Sequence, residues 1–400
     1  MEFLDWWYGL LGLSIPTAAI YILVTTHVTF IAITVYLHRF SAHRAMTMHP
    51  ALQHVMRFWV WFTTGMGTKS WTAVHRKHHA LTETEGDPHS PKVKGLWTIL
   101  FKGVEAYRDA ITPDTLEKYG KGTPDDWLEN NIYDQDKLGV GMLLVIDLLL
   151  FGSVGLVVWG IQMIWVPFFA AGVINGVGHA IGYRNFECPD ASKNIVPIAF
   201  FICGEELHNN HHTYPNSPKL SVKKWEFDLG WGYIKLFEFF GLCKPNKVGP
   251  VIEKDKTKSA IDFDTLRALA NDRFAVMSKF ANQVVSPVVS SLSSENGNSR
   301  KLLQKAKRAI CRDPIVMDQK MSQYQEQLFK QFPVLAEIYR HKEELLKVWS
   351  KRTGRKEELL KAFGNWCEAS EKIAERWRLE HLSKFVDELK SYSVPKLTSA

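Results

Sequence analysis

The chain has 400 residues, 46% hydrophobic and 12% aromatic with 14 Trp, which excludes disorder throughout and leaves material for a large core. Its formal charge of +7 is compatible with phosphate-bearing ligands or an anionic membrane surface, but it is spread too thinly to choose between them. Five scattered cysteines (Cys188, Cys203, Cys243, Cys311, Cys367) form no CxxC pair, which excludes a thiolate metal site and a disulfide-stapled secreted scaffold and predicts reduced thiols facing a cytosol-like compartment.

The first element is a run without formal charge from Ile15 to Leu37, long enough to cross roughly 30 Å of hydrocarbon as a helix. A cleaved signal peptide does not fit, because the first Lys or Arg is Arg39 and the apolar run is too long. Residues 58–67 are apolar over a shorter stretch between Arg57 and Lys69, so the segment around 51–74 is predicted to be interfacial or re-entrant. Two further spans, 138–159 and 163–183, read as a transmembrane hairpin. A short apolar turn from Trp6 to Leu13 leaves room for an extra half-span, so three and four crossings both stand.

Histidine clusters follow the first span and the re-entrant segment, and others stand near the end of the third span and beyond it. Three crossings put all of them on one face. Lys and Arg are frequent only after Arg39, so the positive-inside rule places that face in the cytoplasm. Beyond residue 250 the composition changes to Lys, Glu, Leu and Ala at helical spacing, interrupted by a serine-rich stretch near residue 295. The chain is therefore expected to be all-α: a membrane helical bundle over residues 1–250 with a cytoplasmic histidine-rich di-metal cap, then a soluble helical extension over 251–400. Mixed-sign helices of this kind are usually bundle surfaces, so no nucleic acid is expected as partner.

Of 15 histidines, eight stand in three groups: His38 and His43; His75, His78 and His79; His208, His211 and His212. On a helix, positions i, i+3 and i+4 share a face, so each HxxHH aims three imidazoles at one point. The i, i+5 pair His38 and His43 shares no face of an α-helix, which predicts that the first span unwinds there. Imidazole suits zinc, copper, iron and nickel alike, but eight ligands exceed one tetrahedral shell and imply two metals. No HExxH supplies a protease base.

The segments HRFSAHR, WTAVHRKHHALTETEGDPHS and GEELHNNHHTYP resemble the three histidine boxes of the membrane fatty-acid desaturase family, and of its bacterial acyl-CoA delta-9 branch in particular. Asn175 and His179 in NGVGHAIGYRNFE match a further element of that pattern. The resemblance covers about residues 15–245. It implies a non-haem di-iron centre, with His38, His43, His79 and His212 on one iron, Asn175 reaching that iron through water, and His75, His78, His179, His208 and His211 on the other. No catalytic residue beyond these ligands is implied. Asp87, Glu83, Glu205, Glu206 and Asp228 are candidate acceptors that would fix imidazole tautomers.

The same resemblance implies oxygen-dependent desaturation of a long-chain acyl-CoA, with two iron ions as cofactor and dioxygen as co-substrate, in a bacterial inner membrane. There is no haem-attachment, Rossmann or flavin fingerprint, so electrons are expected from an external ferredoxin or rubredoxin-like carrier with its NAD(P)H reductase. Trp71 matches a tryptophan lining the acyl channel; Arg76 and Lys102, with Lys69 and Lys223, are candidates for phosphate contact. Val74 and Ala73 replace an Asp and an Arg common in the family. The alternatives are a hydroxylase built on the same boxes and a non-enzymatic metal carrier. The extension has no counterpart in the desaturase core, and its closing region is faintly similar to helical tails of some transposases.

Overall fold

The computed structural model describes residues 8–12, 14–249, 252–255, 257–258, 260–295, 300–314, 317–350 and 356–394. The chain is helical and packs as two units, one of Met1–Arg184 with Ala191–Gly249, the other of Asn185–Asp190 with Pro250–Ala400.

In the first unit, helix α1 (Ile15–Ala32) opens on Ser14, whose hydroxyl accepts the Thr17 N–H, with Pro16 in the first turn where its missing N–H costs nothing. The hydroxyls of Thr25, Thr26 and Thr29 donate to carbonyls one turn back at 2.8, 2.6 and 2.8 Å, so buried polar groups are satisfied within the helix. The chain does not unwind at residue 37. It continues as a π-helix over Ile33–Ala42, giving an unbroken run of 28 residues.

Helices α2 (Pro50–Thr64) and α3 (Thr68–Leu81) are joined by a reversal at Gly65–Gly67. The Thr29 and Thr63 hydroxyls stand 3.1 Å apart near this turn, while the other end of α2 follows the strand Met46–Met48, paired antiparallel with Cys243–Pro245. The α2–α3 pair thus enters the bundle from the histidine end and returns to it. Helix α4 (Leu96–Asp109) packs closely on a later π-helical stretch: a Cβ at Gly172 would stand 2.4 Å from the Leu100 carbonyl oxygen. Helix α5 (Pro113–Tyr119) comes next.

Helices α6 (Asp136–Phe151) and α7 (Gly155–Pro167) form an antiparallel hairpin, with Trp159 Nε1 donating to the Val140 carbonyl at 2.9 Å. The hairpin turns at Gly152, whose φ of 59° and ψ of −136° suit glycine alone. The reversal therefore lies at residues 152–154, not in the gap between Trp159 and Met163 that hydropathy suggests. Gln162, expected in that gap, is buried and donates to Thr25 at 2.8 Å. The outward arm has 16 residues. The return is longer, running through α7 and a π-helical stretch, Phe168–Val177, to Ala180.

Tyr21 donates to Asp147 at 2.8 Å, tying α1 to α6 inside the bundle. Ile15, Ile20, Leu23, Leu149 and Ile164 are apolar yet exposed, the surface of helices that meet lipid, and this is a membrane protein. Within the segment Trp6–Leu13, residues 6, 7 and 13 lie outside the described residues; Leu10 and Leu11 N–H groups donate to Leu149 and Leu150 carbonyls, at the end of the bundle away from the histidines. Helices α8 (His208–Thr213) and α9 (Leu229–Phe239) complete the unit.

The second unit is a helical bundle whose longest members are α10 (Pro333–Ser350) and α11 (Lys356–Trp377), followed by α12 (Glu380–Lys390). Its core is apolar, with Leu335, Phe363, Trp366, Phe385 and Leu389 buried. The serine-rich stretch expected to interrupt the helices is partly helical, since Ser286–Glu295 forms a helix; residues 296–299 lie outside the described residues.

Candidate metal centre

Four segments deliver the imidazoles. In a π-helix each N–H bonds five residues back, so positions i and i+5 stack. His43 N–H accordingly donates to the His38 carbonyl at 3.1 Å, and the pair that shares no α-helical face shares this one. Helix α3 presents His75, His78 and His79, and the short buried helix α8 presents His208, His211 and His212. His179 stands just beyond the Phe168–Val177 π-helix, close against α8: a Cβ at Gly178 would meet His208 Cδ2 at 3.1 Å.

All nine meet, in two adjacent groups: His38, His43, His75, His79 and His211; and His78, His179, His208 and His212. This grouping differs from the partition implied by resemblance: His75 and His211 stand with His38, His43 and His79, while His212 stands with His78, His179 and His208. Asn175 lies one turn before His179 on the same helical run, donates to the Ala171 carbonyl at 3.0 Å and lines the cavity that His208 also lines.

Three carboxylates lock the rings. Asp87 lies 2.8 Å from His78 Nδ1, Glu83 2.9 Å from His179 Nδ1 and Glu205 2.7 Å from His38 Nδ1. A carboxylate accepts, so these Nδ1 atoms carry protons and the Nε2 atoms present lone pairs inward. Burial alone would raise these carboxyls. The neighbouring imidazoles, joined by Arg39 at Glu205, more than offset it and hold all three below the usual carboxylate range. Thr34 also donates to Glu205. Glu206 and Asp228, candidates for the same role, serve otherwise: Glu206 accepts the Ile202 and Gly204 N–H groups at 2.9 and 3.2 Å, and Asp228 holds the buried Arg39 guanidinium at 3.0 and 3.1 Å.

The Nε2 atoms of neighbouring rings stand 2.8 to 3.3 Å apart. A metal with nitrogen bonds of about 2.0–2.1 Å sets neighbouring donors about 3 Å apart, so this donor set fits metal ions. Protons do not fit in their place. Burial, then the surrounding imidazoles, holds His208, His211 and His212 well below the usual histidine range, leaving them neutral and able to ligate. The chain carries a metal centre.

A cavity of about 670 Å³ reaches this centre, walled by Phe30, Ile33, Trp71, Val166, Ala170 and Ile174, with His38, His75 and His208 at its polar end. Trp71 lines it and stacks on His75 at 4.8 Å. Arg76 is not free for a phosphate: its guanidinium donates to the carbonyls of Ser41, Ala42, Tyr119 and Lys121. Lys102 is exposed at a kink of α4 and does not line the cavity. The cations on its wall are Arg108 and Lys137, which no motif marks. His89, buried on the same wall beside His78 and Asp87, escapes sequence reasoning too, although it stands in the DPH element.

Comparison with known proteins supplies the family. A family model described as fatty acid desaturase matches residues 14–225, and one described as transposase matches residues 268–397. A delta-9 desaturase-like protein of Arabidopsis thaliana is 29% identical over 245 residues, 57% of this chain and 76% of the relative. An sn-1 stearoyl-lipid 9-desaturase of Synechocystis sp. is 30% identical over 226 residues, covering 55% of this chain and 68% of its own length. An acyl-CoA 5-desaturase of Anemone leveillei is 30% identical over 229 residues, 56% and 69% respectively.

Proposed function

This chain belongs to the fatty acid desaturase family, and from that premise we propose that it converts a long-chain fatty acyl-CoA to its cis-Δ9 monounsaturated product at two irons held by the nine histidines. That it is a desaturase acting on lipid follows from the family itself. Acyl-CoA as substrate, the Δ9 position, iron as the metal, dioxygen as oxidant, the cytoplasmic side of a bacterial inner membrane and an external ferredoxin or rubredoxin-like donor with its reductase are the parts proposed.

The observation that carries the reading is the inward convergence of nine Nε2 lone pairs, three of them fixed by carboxylates, at the end of an apolar cavity. His38, His43, His75, His79 and His211 would hold one iron, and His78, His179, His208 and His212 the other, with Asn175 one turn before His179 on the same run. Iron bound there supplies the activation of dioxygen that hydrogen removal from an alkyl chain requires. Two hydrogens leave neighbouring carbons, and dioxygen takes them up with two electrons and two protons to leave as two waters. The chain's own residues set the rest. The apolar walls from Phe30 to Ile174 hold the acyl chain and exclude water, Trp71 limits its path beside His75, and Glu205, Asp87 and Glu83 keep their protons on Nδ1. Arg108 and Lys137 on the cavity wall suit a phosphate-bearing head group.

The test is lipid analysis of a desaturase-deficient host expressing the intact chain beside its His208→Ala variant. Cis-monounsaturated chains are expected with the intact chain alone. An unchanged profile with donor supplied would overturn the proposal, and a hydroxylated product, separated by mass, would replace it with the hydroxylase reading.

A further inference from the structure

At the edge of the first histidine group the protein gathers positive charge that no carboxylate balances. His43 is half-buried, and the next residue, Arg44, is exposed with a left-handed φ of 50°, a conformation few residues other than glycine adopt and one kept only where surroundings enforce it. Its guanidinium donates to the Lys121 carbonyl at 3.2 Å, and Arg76 donates to the same carbonyl at 2.8 Å. Lys121 itself is exposed. Gly122, at φ +75°, makes room for this arrangement, because a Cβ there would lie 2.2 Å from Arg44 Nη2. Among the described residues neither arginine, nor Lys121, has a carboxylate within ion-pairing distance; the arginines have only carbonyl partners.

Like charges held together at a surface without counter-ions create a positive potential that attracts and orients an acidic partner. The head group of a substrate emerging from the apolar cavity is not that partner, since the cavity is lined by none of Arg44, Arg76, Lys121 or Gly122 and its own cations are Arg108 and Lys137. The place is set apart by His43, a half-buried member of the first histidine group whose Nε2 stands 2.8 Å from that of His75. We propose that Arg44, Arg76 and Lys121 form the docking surface for a small acidic electron-carrier protein, which passes its electrons inward at His43. The proposal rests on the reading of the site as a di-iron desaturase supplied from outside. Reduced carrier gives up one electron per encounter and leaves oxidised, so two encounters supply the two electrons of each turnover.

The experiment uses the full-length, iron-loaded protein in detergent and an acidic plant-type [2Fe–2S] ferredoxin as probe. Binding is measured across a salt series, and product formation is followed with ferredoxin or with dithionite as reductant. Binding is expected to weaken with salt. Arg44→Glu and Lys121→Glu are each expected to weaken it by about tenfold at low salt and to slow ferredoxin-driven turnover alike, with dithionite-driven turnover unchanged. Arg44→Asn removes the charge with a residue that tolerates the left-handed backbone, and guards against misfolding. Lys224→Glu, an equal change of net charge at another exposed site, is expected to leave binding intact. The proposal is overturned if ferredoxin does not bind the unaltered protein, if the Arg44 and Lys121 variants bind it unchanged, or if Lys224→Glu weakens it equally. It is also overturned if coenzyme A displaces ferredoxin, which would make this the head-group site. Failure of the unaltered protein to form product with either reductant counts against the desaturase reading, while the binding series still decides the docking surface.

Discussion

The interiors of the two units obey different physics. The second is closed by Leu335, Phe363, Phe385 and Leu389, and its few buried polar side chains have simple partners, as where His341 meets Ser370 Oγ at 2.6 Å and Lys342 donates to the Ile310 carbonyl at 2.8 Å. The first buries imidazoles, several carboxylates and the Arg39–Asp228 pair where an apolar core would be cheaper. Apolar burial stabilises the second unit directly. Metal ions bound among its lone pairs would stabilise the first, which would link its stability to occupancy.

The largest effect expected from breaking this contrast is at α8. His208→Ala should lower desaturation by more than about 100-fold and reduce the metal per chain, checked by product analysis and elemental analysis. Metal removal comes next. With metal at about a thousand times its dissociation constant, linkage contributes about 4 kcal/mol, so a chelator should speed amide exchange around α3 and α8 and leave that of α10 and α11 unchanged. Exchange lost equally in both units would end the distinction. The reverse perturbation, Leu335→Ala, leaves a cavity in the second core and should cost about 2–5 kcal/mol in denaturant unfolding of that unit without altering metal content. Asp87→Asn keeps the shape but weakens the hold on His78 Nδ1, and metal affinity, measured by competition with a chelator, should fall about 10- to 100-fold.

The smallest effect lies at Glu388. Burial alone would raise its carboxyl, but bonds from Lys254, Lys279, Tyr392 and Gln283 lower it to about 2. A carboxyl lowered on folding stabilises above its unfolded value of about 4.3 and loses that contribution as pH falls toward about 2. Glu388→Gln should cost the second unit about 0.5–1.5 kcal/mol at neutral pH and flatten its acid unfolding slope across that window.

The all-α class, the membrane character and the convergence of the histidine boxes are legible because spacing fixes direction: i, i+3 and i+4 point one way on any α-helix, and long uncharged runs have few other uses. Asp87 is legible as a partner because it stands soon after the second box. Hydropathy misplaces the hairpin turn because Gly152 and Gly160 look alike in sequence, and only the antiparallel register of α6 on α7 shows which one turns. Arg76 looks like a phosphate ligand by charge, yet four carbonyls remote from it in sequence occupy its fork.

By itself the sequence determined which histidines can be aimed together, since side-chain type and helical spacing are local properties. The tertiary structure decided which imidazoles share a group, that a π-helix stacks His38 over His43, and where unbalanced cations gather around Lys121. Those outcomes depend on distances between residues far apart in the chain, and such distances are set only when the helices pack.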